Sequence, residues 1–150
     1  MTQSDSLYPI ATLPRRLGAL LYDLMAVISL FLVVGAIWVI GFNEGLAIEP
    51  GHALYAPMMS SCFIVAVGFF LFFWLRDGQT LGMRAWRLSI QSRNGQKISL
   101  IQALIRALSA IVSFLFLGLG YFWALITPTQ MTWHDMISHS VIVQLPKKRQ

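Results

Sequence analysis

The segment LGALLYDLMAVISLFLVVGAIWVIGF, residues 17–42, decides the fold. It is long enough to cross a bilayer as a helix, because a membrane span needs about 20 predominantly apolar residues. Two further stretches, residues 54–75 and 100–127, are similarly apolar. The sequence therefore predicts an all-α polytopic membrane protein with three hydrophobic helical segments.

The composition supports this class. Of the 150 residues 57% are hydrophobic and 11% are charged, and the mean hydropathy is +0.67, whereas about 25% of the residues in a soluble domain are charged. The net charge of +5 could suggest nucleic-acid binding. However, the basic residues flank the apolar stretches, which indicates membrane topology, with the lipid bilayer as the partner and no nucleic acid.

The distribution of charge predicts the orientation. The loop at 43–53 contains Glu44 and Glu49 and no basic residue, whereas the loop at 76–99 contains five basic residues and one acid. Because basic loops remain on the cytoplasmic side, the second loop and the N-terminus are expected there. We expect an N-terminal cytoplasmic tail at 1–14, a membrane domain at 15–145 and a basic tail at 146–150.

The third hydrophobic stretch allows two topologies. A single crossing would place the basic tail outside, against the charge rule. Gly118 and Gly120 interrupt the stretch and Pro128 follows it, so a broken or re-entrant helix that returns to the cytoplasm is the alternative.

Strand signals favour the return. Residues 87–91 alternate between polar and apolar side chains, and Asn94-Gly95 is a strong turn signal before residues 96–98. This pattern predicts a small cytoplasmic β-hairpin. Residues 140–145 also resemble a strand, and they can join the hairpin only if the tail returns to the same side.

Two charges lie inside the hydrophobic segments. Asp23 and Arg106 are each six residues into an apolar stretch, about 9 Å below its start. Because a charge in the bilayer costs roughly 2.5–3.5 kcal/mol, we expect the two to meet as an ion pair. Arg16 lies seven residues before Asp23, on the same helix face. The pair could serve as a proton site or could only fix helix packing.

The stretch Thr132-Trp133-His134-Asp135 has two interpretations, a proton relay formed by His134 and Asp135 or a helix-capping turn. The histidines have no spacing with cysteine that is typical of metal ligands. Nucleophile and phosphate-loop motifs are also missing from the sequence. We therefore expect no enzyme, no cofactor and no metal.

Several motifs in order resemble the RDD family of small membrane proteins, which is named for one arginine and two aspartates. Pro14-Arg15-Arg16 followed by Asp23 is similar to the opening of that family, and residues 78–84 are similar to its Gly-x-Thr-x-Gly-basic loop. Asn94-Gly95, Arg106 and Trp133-His134-Asp135 follow in the expected order. The resemblance implies that Arg16 and Asp23 are the arginine and the first aspartate. The second is Asp135, with Asp77 as the weaker candidate.

The resemblance implies a bacterial inner (plasma) membrane protein suspected of transport. We expect transport of a small ion or solute, coupled to protons through Asp23. In this hypothesis Arg106 is the counter-charge, Arg16 anchors the cytoplasmic end, and His134 with Asp135 forms a relay. A chain of this size encloses little space, so a homo-oligomer or a membrane partner protein is expected. The alternative is a non-transporting scaffold or assembly factor that binds another membrane protein.

Overall fold

The structure, a computed structural model, describes residues 8–116, 118–127 and 130–146. These residues form six helices and two strands. In chain order they are α1 (Leu13–Phe42), α2 (Tyr55–Asp77), α3 (Leu81–Ala85), β1 (Leu88–Ser92), α4 (Leu100–Leu115), α5 (Leu119–Ile126), α6 (Trp133–Ile137) and β2 (Ser140–Gln144).

Helices α1 and α2 are each long and apolar enough to cross a membrane. Their bounds lie close to the predicted ones, although α1 begins at Leu13 and not at residue 17. The third predicted segment is divided between α4 and α5, which are bent by 95° relative to each other. The described part of the chain thus has two candidate spans, or three if the bent pair counts as one span.

The two strands form an antiparallel sheet, in which Leu88 of β1 lies opposite Gln144 of β2. The predicted hairpin is therefore wrong in its second strand. Asn94-Gly95 does lie in a tight turn, where the Gly95 amide donates to the Ser92 carbonyl at 2.9 Å. However, residues 96–98 do not continue as a strand. Turn residues specify local backbone geometry. The strand that pairs with β1 begins only at Ser140, 45 positions after Gly95, and is selected by packing.

A short segment that precedes α1 completes the sheet. The Ala11 amide donates to the Ile142 carbonyl and the Gln144 amide donates to the Pro9 carbonyl, both at 2.9 Å. Ile10 forms a bridge with Val143. Of the predicted tail, residues 1–7 lie outside the described residues, while residues 9–11 belong to the folded protein. The basic residues Lys147, Lys148 and Arg149 also lie outside the described part.

The described chain divides into two compact units, residues 8–23 with 70–146, and residues 24–69. In the second unit the Trp38 indole donates to the Ser61 hydroxyl at 3.2 Å, and the rings of Trp38 and Phe42 lie 4.9 Å apart. The first unit contains the sheet and its hydrophobic core, which consists of Ala11, Ala19, Met83, Leu88, Ile90, Ile98 and Ala103. All the predicted site residues lie in the first unit.

Candidate functional site

Asp135 lies at the centre of a buried cluster of charges. Its Oδ2 accepts a hydrogen bond from Arg16 Nη1 at 2.5 Å, and its Oδ1 accepts one from Arg106 Nη1 at 2.6 Å. The three side chains are almost fully shielded from solvent. We call Arg16, Arg106 and Asp135 the Asp135 cluster. Each charge of this cluster has an opposite charge at hydrogen-bonding distance, and such charge-assisted hydrogen bonds are stronger than neutral ones.

Local structure fixes the position of the carboxylate. Thr132 is the N-cap of α6, where its hydroxyl accepts from the Asp135 amide at 3.4 Å and its own amide donates to Asp135 Oδ2 at 3.1 Å. This reciprocal capping box satisfies two amides at the start of the helix. The capping turn, one of the two interpretations of residues 132–135, is thus present, and it directs Asp135 towards the two arginines.

The two arginines connect distant parts of the first unit. Arg16, on α1, also donates through Nε to the Ala11 carbonyl at 2.9 Å. Arg106, on α4, also donates to the Ser140 hydroxyl at 2.8 Å, and its guanidinium lies 5.6 Å from the centre of the Trp74 ring. The Asp135 cluster therefore ties two helices and the capping turn to β2 and to the segment that pairs with it.

The electrostatics of α6 do not favour a proton relay at neutral pH. Burial and the nearby Arg106 guanidinium lower the pKa of His134 to about 3. Burial would raise the pKa of Asp135, but the Arg106 and Arg16 guanidiniums overcome this effect and hold it well below its ordinary value. His134 is consequently neutral and Asp135 ionised near pH 7. The His134 ring lies 4.6 Å from the Tyr121 ring, in an environment suited to a neutral imidazole.

Asp23 has different partners from those expected. Its Oδ2 accepts from the Thr80 hydroxyl at 2.5 Å, and its Oδ1 accepts from the Gly82 amide at 2.8 Å. The expected pair with Arg106 is wrong, since the ion pairs formed by the described residues do not include Asp23 and Arg106 binds Asp135. The positions of Asp23 and Arg106 within apolar stretches correctly predict that both side chains are buried. These positions do not specify which side chains face each other.

The contact between α1 and α3 explains why the Asp23 carboxylate reaches these donors. Gly82 packs so closely on α1 that a β-carbon there would lie 1.9 Å from the Ala19 carbonyl oxygen. Trp86 covers Gly18, whose β-carbon would lie 2.4 Å from the indole ring. Because the two helix backbones approach so closely, the Asp23 carboxylate reaches the first turn of α3 and accepts a hydrogen bond from the Gly82 amide there. The second glycine of the Gly-x-Thr-x-Gly loop, Gly82, thus has a steric reason.

Sequence reasoning missed Thr80, Gly82 and Ser140 as partners of the buried charges. A threonine that precedes a short apolar segment is a possible helix N-cap, and Thr80 has that role, accepting from the Met83 amide at 3.2 Å. No comparable signal in the sequence marks Ser140.

Asp77 lies apart from the buried charges. Its side chain pairs with that of Arg84 and remains about one-third exposed. In the structure, therefore, Asp135 and not Asp77 is the acid that joins Arg16. Among the described residues the buried arginines and acids are Arg16, Arg106, Asp23 and Asp135.

Comparison with known proteins identifies the family of the chain. A family model described as RDD family matches residues 10–139, which include Arg16, Asp23, Arg106, His134 and Asp135. No curated protein and no solved structure matches the chain significantly. Because the matched region covers most of the sequence and contains two apolar helices long enough to cross a membrane, the chain belongs to the RDD family and is a membrane-type protein.

Proposed function

We propose that the protein transports a small ion or solute across the membrane and that transport is coupled to the protonation of Asp23. The observation that carries the proposal is the contrast between the two buried acids. Asp135 is neutralised by two guanidiniums, whereas the hydrogen-bond donors to Asp23 are the neutral Thr80 hydroxyl and Gly82 amide. A carboxylate without a direct counter-charge is the one that can exchange a proton.

Protonation of Asp23 would act on α3. In the ionised state both oxygens accept hydrogen bonds, and they hold Thr80 and Gly82 at the start of α3 against α1. A proton on Oδ2 would reverse this hydrogen bond, so that Oδ2 donates to the Thr80 hydroxyl. Both contacts would then lose the added strength that the carboxylate charge gives them. We infer that proton uptake loosens the contact of α3 with α1 and that this movement opens a path to Asp23.

The Asp135 cluster has a different part in the proposal. Its two pairs are buried, and the pKa of Asp135 lies below its ordinary value. We propose that the cluster anchors α1, α4 and α6 while α3 moves. Arg16 is thus an anchor at the end of the first span, and Arg106 is a partner of Asp135.

We propose that the sheet lies in the cytoplasm of a bacterium and that the protein resides in the inner membrane. The segment at 76–99 contains five basic residues, which favours the cytoplasmic side. Strand β1 in this segment pairs with β2 and β2 pairs with Ile10. These pairings support a return of the chain after the bend between α4 and α5, with both termini inside.

A single protomer of this size would enclose little space, so we propose that the working unit is a homo-oligomer. The exposed apolar side chains of α1 and α2 fit contact with lipid or with another copy. The transported species is a small cation or solute.

Flux measurements on the purified protein test the proposal. We would reconstitute it in proteoliposomes that contain a pH-sensitive dye and impose Na⁺, K⁺ or Li⁺ gradients. The natural protein should move protons in response to at least one gradient, and Asp23→Asn should abolish that movement. Asp77→Asn is the matched control, because it removes the same charge from a site that is about one-third exposed and should leave the flux unchanged.

Two results would contradict the proposal. Undiminished flux in Asp23→Asn would remove Asp23 from the mechanism. No proton movement in the natural protein, verified as inserted and monodisperse, would argue against proton coupling and favour the second candidate.

The second candidate is a membrane scaffold or assembly factor. It is favoured by the closed geometry of the Asp135 cluster, in which both carboxylate oxygens are already bound to guanidiniums. Such a cluster would fix helix packing and need not exchange anything. A scaffold of this kind should show no flux with any gradient, and Asp23→Asn should then affect only stability.

A further inference from the structure

The end of α2 carries a group of charged side chains outside the site described above. Arg84 pairs with Asp77, Arg76 lies 4.0 Å from the same acid, and the Lys97 ammonium donates to the Arg76 carbonyl at 3.4 Å. We call Arg76, Asp77, Arg84 and Lys97 the α2-end group. The end of α2, the helix α3 and the loop before α4 thus bring charged side chains together at the C-terminal end of the second span.

The α2-end group lies at the border between apolar and polar surface. The Arg76 guanidinium is 5.5 Å from the centre of the Phe72 ring, one helical turn earlier in the span. Phe72 is itself exposed, as a side chain that contacts lipid would be. A guanidinium placed over such a ring stands at the depth of the lipid headgroups.

The charges of the α2-end group are unbalanced and accessible. It contains three positive side chains and one acid. The side chains of Arg76 and Arg84 are 68% and 49% exposed. A pair as exposed as that of Arg84 with Asp77 is weak, so its guanidinium retains donors for another acceptor. The group therefore presents excess positive charge to whatever lies at the membrane surface.

Apolar surface lies beside these charges. Leu81 and Trp86, at the two ends of α3, are 47% and 37% exposed. Tryptophan side chains are enriched at the interface between headgroups and hydrocarbon. A ligand for this surface would combine negative charge with an apolar part.

We propose that the α2-end group binds the headgroup of an anionic phospholipid, with the acyl chains against the apolar surface of α2 and α3. The headgroup phosphate accepts from the guanidiniums of Arg76 and Arg84, and the Lys97 ammonium adds charge. Phosphate suits guanidinium donors because two parallel hydrogen bonds can form. A zwitterionic lipid has no net charge, so it complements the excess positive charge of the α2-end group less well.

Native mass spectrometry of the detergent-purified protein tests this proposal. Phosphatidylglycerol and phosphatidylcholine with the same acyl chains would be titrated separately, and bound lipid counted from the mass. We expect several-fold tighter binding of phosphatidylglycerol to the natural protein, weakened by salt. The triple variant Arg76→Gln/Arg84→Gln/Lys97→Gln should lose this preference.

A second triple variant provides the matched control. Lys147→Gln/Lys148→Gln/Arg149→Gln removes the same charge from the basic tail and should keep the preference for phosphatidylglycerol. Arg76→Lys/Arg84→Lys, which retains the charge, should keep at least part of it, and this result would exclude a folding defect as the cause. Equal loss in both triple variants, or no loss in the first, would overturn the proposal.

Discussion

Arg16 and Asp135 are 119 positions apart in the sequence, yet Arg16 Nη1 lies 2.5 Å from Asp135 Oδ2. With Arg106 on the other carboxylate oxygen, Asp135 is the shared partner of two buried cations. The RDD chain thus uses one acid to hold the start of its first span against its fourth helix. The stability of the first unit should depend strongly on this acid.

Asp135→Asn should destabilise the protein by about 3–5 kcal/mol, because it leaves two buried guanidiniums without their counter-charge. The free energy of unfolding in detergent micelles, measured by denaturant titration, checks this value. Asp77→Asn is the control and should cost less than about 1 kcal/mol, since its pair with Arg84 is partly exposed. Similar losses in the two variants would contradict a special role for Asp135.

Gly82→Ala should disrupt the contact of α3 with α1, because the added methyl would lie 1.9 Å from the Ala19 carbonyl oxygen. We expect a loss of about 1–3 kcal/mol together with reduced flux. Gly68→Ala is the matched control in α2, since no atom lies within 4 Å of its added carbon. It should be neutral or slightly stabilising. A harmless Gly82→Ala would show that α3 is not packed as described.

Lowering the pH from 7 to 5 should destabilise the protein through His134. Its pKa is about 3 in the folded protein and ordinarily 6.5, so the unfolded chain binds a proton in this range that the folded state does not. The contribution should be about 2 kcal/mol between these pH values. Denaturant titrations at both values check it.

His134→Gln should remove most of this pH dependence, because glutamine does not titrate. His52→Gln, in the loop between α1 and α2, is the control and should retain it. An unchanged pH dependence in His134→Gln would mean that another group causes the effect. Asp135 contributes in the same direction only below its ordinary pKa of 3.8.

Reporters of membrane topology fused to either terminus should both indicate the cytoplasm. The reason is the sheet, in which Ile10, β1 and β2 are hydrogen-bonded neighbours, so all three must lie on one side. Alkaline phosphatase and green fluorescent protein fusions, active on opposite sides of the membrane, measure this. A clear outside signal from the C-terminus would exclude the return of the chain.

The spans could be predicted from the sequence because length and hydropathy alone determine whether a helix can cross a bilayer. The helix bounds predicted for 54–75 and found at Tyr55–Asp77 illustrate this. The burial of Asp23 and Arg106 could also be predicted, since both lie within apolar stretches. The family was recognised from the order of short motifs, and the family match confirms it.

Pairings between distant residues could not be predicted. Asp23 binds Thr80 and Gly82 because α3 packs on α1, and the position of α3 depends on the whole fold. Likewise, β1 pairs with β2 and not with residues 96–98, although the turn at Asn94-Gly95 forms. Periodicity indicates that a strand exists, but its neighbour is selected by tertiary packing.

The position of Asp135 late in the chain has a consequence for biosynthesis. When the ribosome has delivered α1 and α4 to the membrane, Arg16 and Arg106 still lack the acid that neutralises them. Until α6 emerges and β2 closes the sheet, the nascent chain carries two uncompensated guanidiniums, which quality-control proteases or insertion chaperones could recognise. A premature stop codon between residues 107 and 134 would leave the chain in this state permanently, so such truncated products should be degraded rather than accumulate.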